Sequence, residues 1–195
     1  MSVEKPPVIV LASTSPRRKD ILITMGFDVR VFPSGFQEES LEETDPVRFA
    51  MAAAHAKGKD VSRRFPGKIT VSADTVVTYK GLLLGKPVNR DEAIHMLKTL
   101  NGKTHTVITA LSIFNPQKER EYTGYEATDV TFRLLTEEEI IRYVDIHTPL
   151  DKAGAYGIQD ISVPLVSRID GCYFNVVGFP VSHFYIHWRE ITTAE

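Results

Sequence analysis

Arg17 and Arg18 stand side by side directly after Ser13-Thr14-Ser15-Pro16, where the pattern starts a helix. The first turn of a helix presents unpaired N–H groups and the positive end of its dipole, so acidic side chains suit it and two guanidinium groups oppose it. The pair makes chemical sense if an anion is bound there, because free N–H groups, hydroxyls and two guanidinium forks together form a phosphate site. Taken alone, it reads more readily as a solvated basic pair on a surface helix. Asp74 is a second anomaly, a carboxylate set between the apolar runs Ile69–Ser72 and Val76–Tyr79. Burying that charge is costly unless it is paired or binds a metal; general-base work or metal ligation explains it, and so does a simple turn or capping role. Lys57, on an Ala-rich stretch, and Lys86, in Leu84-Gly85-Lys86-Pro87, add cations that singly read as surface charge. The segment Asp151 to Gln159 brings two glycines, small residues, a charged pair and an amide into nine positions. Such a loop lets backbone approach a ligand closely, and its plainer reading is an ordinary glycine-containing connection.

Several common chemistries are missing. The histidines His55, His95, His105, His147, His183 and His187 form no HExxH pattern and no paired metal-ligand spacing, so they read as packed or surface residues. There is no GxGxxG, GxxxxGK[ST] or GxSxG, which removes dinucleotide, P-loop and serine-hydrolase readings. Glu137-Glu138-Glu139 reads as helix capping and dipole compensation.

The elements that must position these groups follow from local pattern. Val8 to Leu11 is short, apolar and β-branched, a buried strand; Ser15 suits the N-cap and Pro16 the first position of a helix running to about Met25, with Gly26 as its stop. Asp28 to Phe32 reads as a second strand and the acidic Gln37 to Glu43 as an exposed loop. Asp45-Pro46 opens a long helix ending near Phe65. Ile69–Ser72 and Val76–Tyr79 are strand-like, with Ala73-Asp74-Thr75 between them. Asn89 and Glu92 have capping-box spacing for a helix through Leu100, as do Thr136 and Glu139 for one to about Ile146. Thr104–Phe114 and Tyr122–Phe132 read as long paired strands, Val163–Ile169 and Tyr173–Val177 as a hairpin around Asp170-Gly171, and Pro180 starts a last helix. The expected fold is α/β: a mixed central sheet with flanking helices.

A length of 195 residues, 43% of them hydrophobic, suits one domain with a substantial core, here expected over residues 1–195. A net charge of -2 supplies no field for nucleic acid or membrane, so anion binding must come from a local cluster. Basic stretches interleaved with aromatics, the mark of a nucleic-acid-binding module, are absent as well. Cys172 is the single cysteine, which excludes an internal disulfide framework and fits a reducing compartment. The N-terminus lacks a signal-peptide pattern and no run approaches the about 18 apolar residues of a membrane span, so a soluble, cytoplasmic protein is expected.

Together, Leu11-Ala12-Ser13-Thr14-Ser15-Pro16-Arg17-Arg18, Ser72-Ala73-Asp74-Thr75, Gly85-Lys86-Pro87 and Asp151 to Gln159 resemble the Maf family of nucleotide pyrophosphatases, in order and spacing across nearly the whole chain. The resemblance implies two lobes around a cleft, a fold like that of the Ham1 and ITPase proteins, and a divalent metal, Mg2+ or Mn2+. It makes Asp74 the proton acceptor for an attacking water. Arg17, Thr75 and Gln159 would set base specificity, Ser13, Ser15, Arg18, Lys57 and Lys86 would hold phosphates, and Glu38 would join Asp74 at the metal. The match is to the branch acting on dTTP and UTP; the branch preferring 7-methyl-GTP carries Trp where Arg17 stands. Ser72 replaces the family's usual Gly and is expected to tighten a strand end without removing catalysis. The resemblance further implies a homodimer. The competing reading from another class is a nucleotide-binding regulator of cell division that does not turn its ligand over. A carboxylate beside the triphosphate argues against that reading, because a pure binding module gains nothing from Asp74 unless a metal bridges the two.

Overall fold

The computed structural model describes residues 7–193. Strand β1 (Val8–Leu11) is buried along most of its length and pairs in parallel with β2 (Asp28–Val31) on one side and β3 (Ile69–Tyr79) on the other. The short β4 (Leu82–Leu84) folds back on the end of β3. Then β5 (Thr104–Asn115), β6 (Arg120–Phe132) and β7 (Val166–Asp170) extend the sheet antiparallel, in the order β2-β1-β3-β5-β6-β7. The sheet is therefore mixed, parallel at its early edge and antiparallel beyond β3, with helices packed on it.

Two expected strand assignments are corrected first. Ala73-Asp74-Thr75 do not break a strand: β3 is continuous, and its ladder to β5 runs without interruption from Thr70 to Thr78, with Asp74 opposite Ala110. The sheet supplies the backbone partners that the polar residues promised to a turn, so only the Asp74 side chain needs another solution. Nor do residues 173–177 return as a hairpin strand. They form helix α5 (Tyr173–Val177), and β7 pairs with β6 instead. A β-rich, apolar pentapeptide goes helical because Asn175 is fully buried and its amide is spent on strands β5 and β6, while Gly178 ends the helix at φ 111°. The only residue type that adopts that angle without strain is glycine.

Helix α1 (Pro16–Thr24) begins at Pro16 as expected, although the Ser15 side chain makes no capping bond. Helix α2 (Pro46–Ser62) is N-capped by Asp45, whose carboxylate accepts from the Arg48 N–H. It stops three residues short of Phe65, the chain continuing as turns. In α3 (Arg90–Leu100) Asn89 caps the Glu92 N–H, but Glu92 reaches back to the Val88 N–H rather than closing a reciprocal box. The reciprocal box does close at α4 (Glu137–His147), between Thr136 and Glu139. Helix α6 (Val181–Thr192) follows Pro180. Two larger apolar clusters flank the sheet. One joins α3, α4 and the far halves of β5 and β6; the other joins β1, α1 and α6 around Phe179 and Phe184.

Small residues let α2 lie close on β3 and β5. Ala50, Ala53, Ala54 and Gly58 are all buried on its inner face. A Cβ on Gly58 would sit 2.4 Å from Phe114 Cε2 and 2.5 Å from Ser72 Oγ. Ser72 lies inside β3, not at a strand end, and its hydroxyl donates to the Ala54 carbonyl on α2 at 2.6 Å. The hydroxymethyl group thus fastens helix to sheet from a position where glycine would leave a gap. Gly58→Ala is expected to destabilise the protein by about 1–3 kcal/mol despite the better helix propensity of alanine, because ring and hydroxyl must both move. Urea unfolding of the two proteins measures this, and an alanine variant as stable as the wild type would show that the contact relaxes freely.

Candidate active site

A cleft of about 860 Å³ follows the C-terminal end of β1, the edge of an α/β sheet where ligands usually enter. It is lined by Ser13 and Ser15 in the turn after β1, Arg17 and Arg18 at the start of α1, Glu38, Lys57, Asp74 and Thr75, and Lys86 and Gln159 from two loops. All ten residues singled out from the sequence therefore face one cavity, although they derive from six separate segments.

Asp74 is 5% exposed. Lys57 reaches it from α2, its ammonium donating to Asp74 Oδ1 at 2.6 Å and to Glu38 Oε1 at 2.5 Å. Glu38 sits in a single 3-10 turn, Glu38–Ser40, so the acidic segment expected to be an exposed loop contributes one carboxylate to the site. The two acids differ in character. Burial pushes the Asp74 carboxyl above its ordinary value, only partly opposed by Lys57, and the Glu38 charge pushes the same way. Burial would raise Glu38 too, but its hydrogen bond and charge contact with Lys57, helped by Lys86 and Arg18, outweigh that and hold it below the ordinary range. One carboxylate is thus made basic and the other kept ionised, the separation that acid–base chemistry needs. Among the described residues no three His, Cys, Asp or Glu side chains group as a metal site. Two convergent carboxylates nevertheless suit a hard divalent cation that takes its remaining ligands from phosphate and water.

The basic turn is already internally bonded. Arg18 donates from Nε to the Gly178 carbonyl at 2.9 Å, from Nη1 to Ser13 Oγ at 3.2 Å, and from Nη2 to Thr75 Oγ1 at 2.9 Å. A guanidinium has five N–H donors, so two remain for a ligand. Arg17 pairs with Asp151 at 3.3 Å, joining α1 to the 151–159 loop. Ser15 gives its N–H to Ser13 Oγ. The first turn of α1 contains no acidic residue, so nothing within that turn compensates the dipole.

Two buried anchors hold the 151–159 loop. Tyr156 hydrogen-bonds His105 Nε2 at 2.8 Å in the core, and Tyr143 accepts from the Gly157 N–H at 2.8 Å while donating to Asp160 at 2.6 Å. The Gly154 N–H also donates to the Gly85 carbonyl at 3.0 Å, tying this loop to the one that carries Lys86. Burial pushes His105 down to about 4, with the Asp129 charge opposing weakly. The folded protein therefore keeps His105 neutral where the unfolded chain, with an ordinary value of 6.5, binds a proton. Its stabilising contribution is complete above pH 6.5 and disappears as the pH falls toward 4, a loss of roughly 3 kcal/mol. Urea unfolding at pH 7 and pH 4.5 should show that slope in the wild type and a flatter one in His105→Gln; equal slopes would assign the loss to other groups.

Nothing in the local pattern points to the contacts that support the cleft: the Gly178 carbonyl on Arg18, Asp151 on Arg17, and a polar chain running from Thr75 through Thr109 to Asn175. The available signal was a lone amide, Asn175, in the apolar run Tyr173–Val177.

A family model described as "Maf-like protein" matches residues 8–191. Among curated proteins, the chain is 44% identical over 174 residues to a dTTP/UTP pyrophosphatase of Alkaliphilus oremlandii, covering 89% of this chain and 90% of that one. It is 42% identical to a dTTP/UTP pyrophosphatase of Deinococcus radiodurans, covering 93% and 92%. A third protein of that name, from Pyrococcus furiosus, is 45% identical, covering 89% and 90%. Among solved structures, a HAM1 protein from Coxiella burnetii aligns at a TM-score of 0.49 and 13% identity over 94% of this chain and 99% of that one.

Proposed function

The chain belongs to the Maf family, and from that premise we propose that it hydrolyses dTTP and UTP to the monophosphate and pyrophosphate. The observation that carries the proposal is the buried Asp74, made basic by its surroundings and held by Lys57 at 2.6 Å, facing a cleft that also contains Arg17, Arg18 and Lys86. A regulator that only bound nucleotide would have no use for a proton acceptor at that point.

In this reading Asp74 takes the proton of a water as its oxygen attacks the α phosphorus in line; the bond from that phosphorus to the bridging oxygen breaks, and pyrophosphate leaves with the electron pair. Arg18, Lys86, Ser13 and Ser15 hold the phosphates and offset charge that would repel the nucleophile. Lys57 keeps Asp74 and Glu38 in register. Glu38 and Asp74 would hold a magnesium or manganese ion, which would supply further charge neutralisation. Thr75, Gln159 and Arg17 read the base. With this activity go one catalytic domain and a cytoplasmic location, as length and composition lead one to expect, and a homodimer, as the family implies; no helix among the described residues is long and apolar enough to cross a membrane.

The test is pyrophosphate release from a panel of nucleoside triphosphates, including 7-methyl-GTP, with magnesium, manganese or chelator, in heavy-oxygen water. Metal-dependent release that favours dTTP and UTP, with the heavy oxygen in the monophosphate, is expected. Heavy oxygen in pyrophosphate alone would overturn attack at the α phosphorus, and tight binding without release would favour the regulator. Arg17→Ala should loosen base preference by about tenfold in kcat/KM ratios with the fold intact, since one charge-assisted contact is at stake. A uniform loss on every nucleotide would move Arg17 from the base to the phosphates.

A further inference from the structure

The hydrogen positions behind the cleft follow from donor and acceptor arithmetic. Arg18 Nη2 can only donate, so Thr75 Oγ1 accepts from it at 2.9 Å. Thr75 and Thr109 hydroxyls lie 2.9 Å apart with either atom able to donate. Thr109 Oγ1 also lies 2.9 Å from the Asn175 carbonyl, which can only accept, so the single Thr109 hydrogen goes there. Thr109 must then accept from Thr75. The Thr75 hydrogen is committed inward, one of its lone pairs is taken by Arg18, and what remains is a single lone pair on a side chain that lines the cleft.

Neither Thr109 nor Asn175 lines the cleft, and both are fully buried. Asn175 is fixed in turn: its Oδ1 accepts from the Thr109 N–H at 3.1 Å, and its Nδ2 donates to the Val107 carbonyl at 3.0 Å and to Thr128 Oγ1 at 2.9 Å. Its carbonyl sits near the end of α5, where helix carbonyls lack intrahelical partners, and is thus available to the Thr109 hydroxyl as well as to the Gly178 N–H. Ser13 shows the opposite polarity. Its two lone pairs are taken by the Ser15 N–H and Arg18 Nη1, leaving its hydrogen as the group it can offer. One end of the Arg18 bridge presents a donor, suited to a phosphate oxygen, and the other presents an acceptor.

We infer that Thr109, backed by the Asn175 carbonyl, is a positioning residue that turns the Thr75 hydroxyl into an acceptor toward the ligand, matched to the imide N–H of a uracil or thymine ring. This rests on the reading of Thr75 as a base contact. Without the Thr109 hydroxyl the Thr75 hydrogen has no fixed partner and rotates, and the match to an N–H donor is lost while the phosphate side and Asp74 are untouched.

The experiment measures kcat and KM for UTP and N3-methyl-UTP with wild type, Thr109→Val and Thr109→Ser. Methylation removes the donor and should cost the wild type at least about tenfold in kcat/KM. Thr109→Val should raise the KM for UTP about tenfold with kcat within about threefold, and should shrink the methylation penalty, because one directed hydrogen bond is lost. Thr109→Ser, which keeps the hydroxyl, should restore both. A folded Thr109→Val enzyme with unchanged KM overturns the inference. So does wild type that treats UTP and N3-methyl-UTP alike, a result that needs no variant to fold. Wild type that releases no pyrophosphate from UTP or dTTP overturns the proposed activity itself, an outcome distinct from an active enzyme indifferent to Thr109.

Discussion

Asp74→Asn is expected to lower turnover of dTTP and UTP by about 10³-fold while nucleotide binding persists, the loss typical of removing a general base. Asparagine keeps the shape of the side chain and can still accept a hydrogen bond from Lys57, but it cannot take a proton from water. The variant should also be at least as stable as the wild type. Burial raises the Asp74 carboxyl in the folded state, so the protonated form is the one folding favours, and its contribution is lost as the pH rises through that raised value. An amide is neutral at every pH and escapes that loss. Pyrophosphate release, nucleotide binding by calorimetry and thermal unfolding at pH 7 measure the three parts. Turnover equal to wild type would remove Asp74 from the chemistry, and a variant that melts well below wild type would assign Asp74 a structural duty instead.

Lys57→Met should have the next largest effect, about 10²-fold on kcat/KM at pH 7, in the range seen when a charged catalytic contact is deleted. Lys57 is the cation between Glu38 and Asp74, at 2.5 Å and 2.6 Å, and its side chain is only 15% exposed. Its charge lowers both carboxyls. Without it, two partly buried carboxylates face each other, and Asp74 holds its proton to higher pH. The acid limb of the kcat/KM profile should therefore move toward alkaline pH, so that part of the lost activity returns as the pH is raised. Methionine fills the space of the lysine stem, which keeps the packing of α2 on β3 nearly unchanged. Profiles recorded at saturating metal decide the matter: an acid limb at the same pH as wild type would mean that Lys57 acts on the phosphates and not on Asp74.

These two residues differ in how far the sequence disclosed them. Asp74 stands out as a charge inside an apolar run, yet local pattern alone makes two strands of that run, with a break between them. Local pattern weighs a polar tripeptide as a turn, whereas β5 supplies an unbroken ladder that keeps β3 extended through it. Lys57 gave no local sign, since a lysine on an amphipathic helix is ordinary. Its meaning comes from α2 crossing β3 at the small residues Ala54 and Gly58, close enough for the ammonium to reach Asp74. Glu38 is similar, one acid among several in a polar segment until the 3-10 turn aims it at the same lysine.

The sequence by itself determined what nearest-neighbour physics governs: Pro16 opening α1 with two arginines in its first turn, the capping box of Thr136 and Glu139, the long paired strands β5 and β6, and the motifs by which the family was recognised. Tertiary structure alone decided the outcomes in which distant segments compete for the same polar groups. It made residues 173–177 a helix, because Asn175 is satisfied by β5 and β6 only in that form. It also gave Arg18 three partners drawn from different parts of the chain. The direction of the Thr75 hydroxyl is the finest of these decisions. It is fixed by a carbonyl a hundred residues away in sequence, because a buried hydrogen must find an acceptor and only the folded chain brings one within reach.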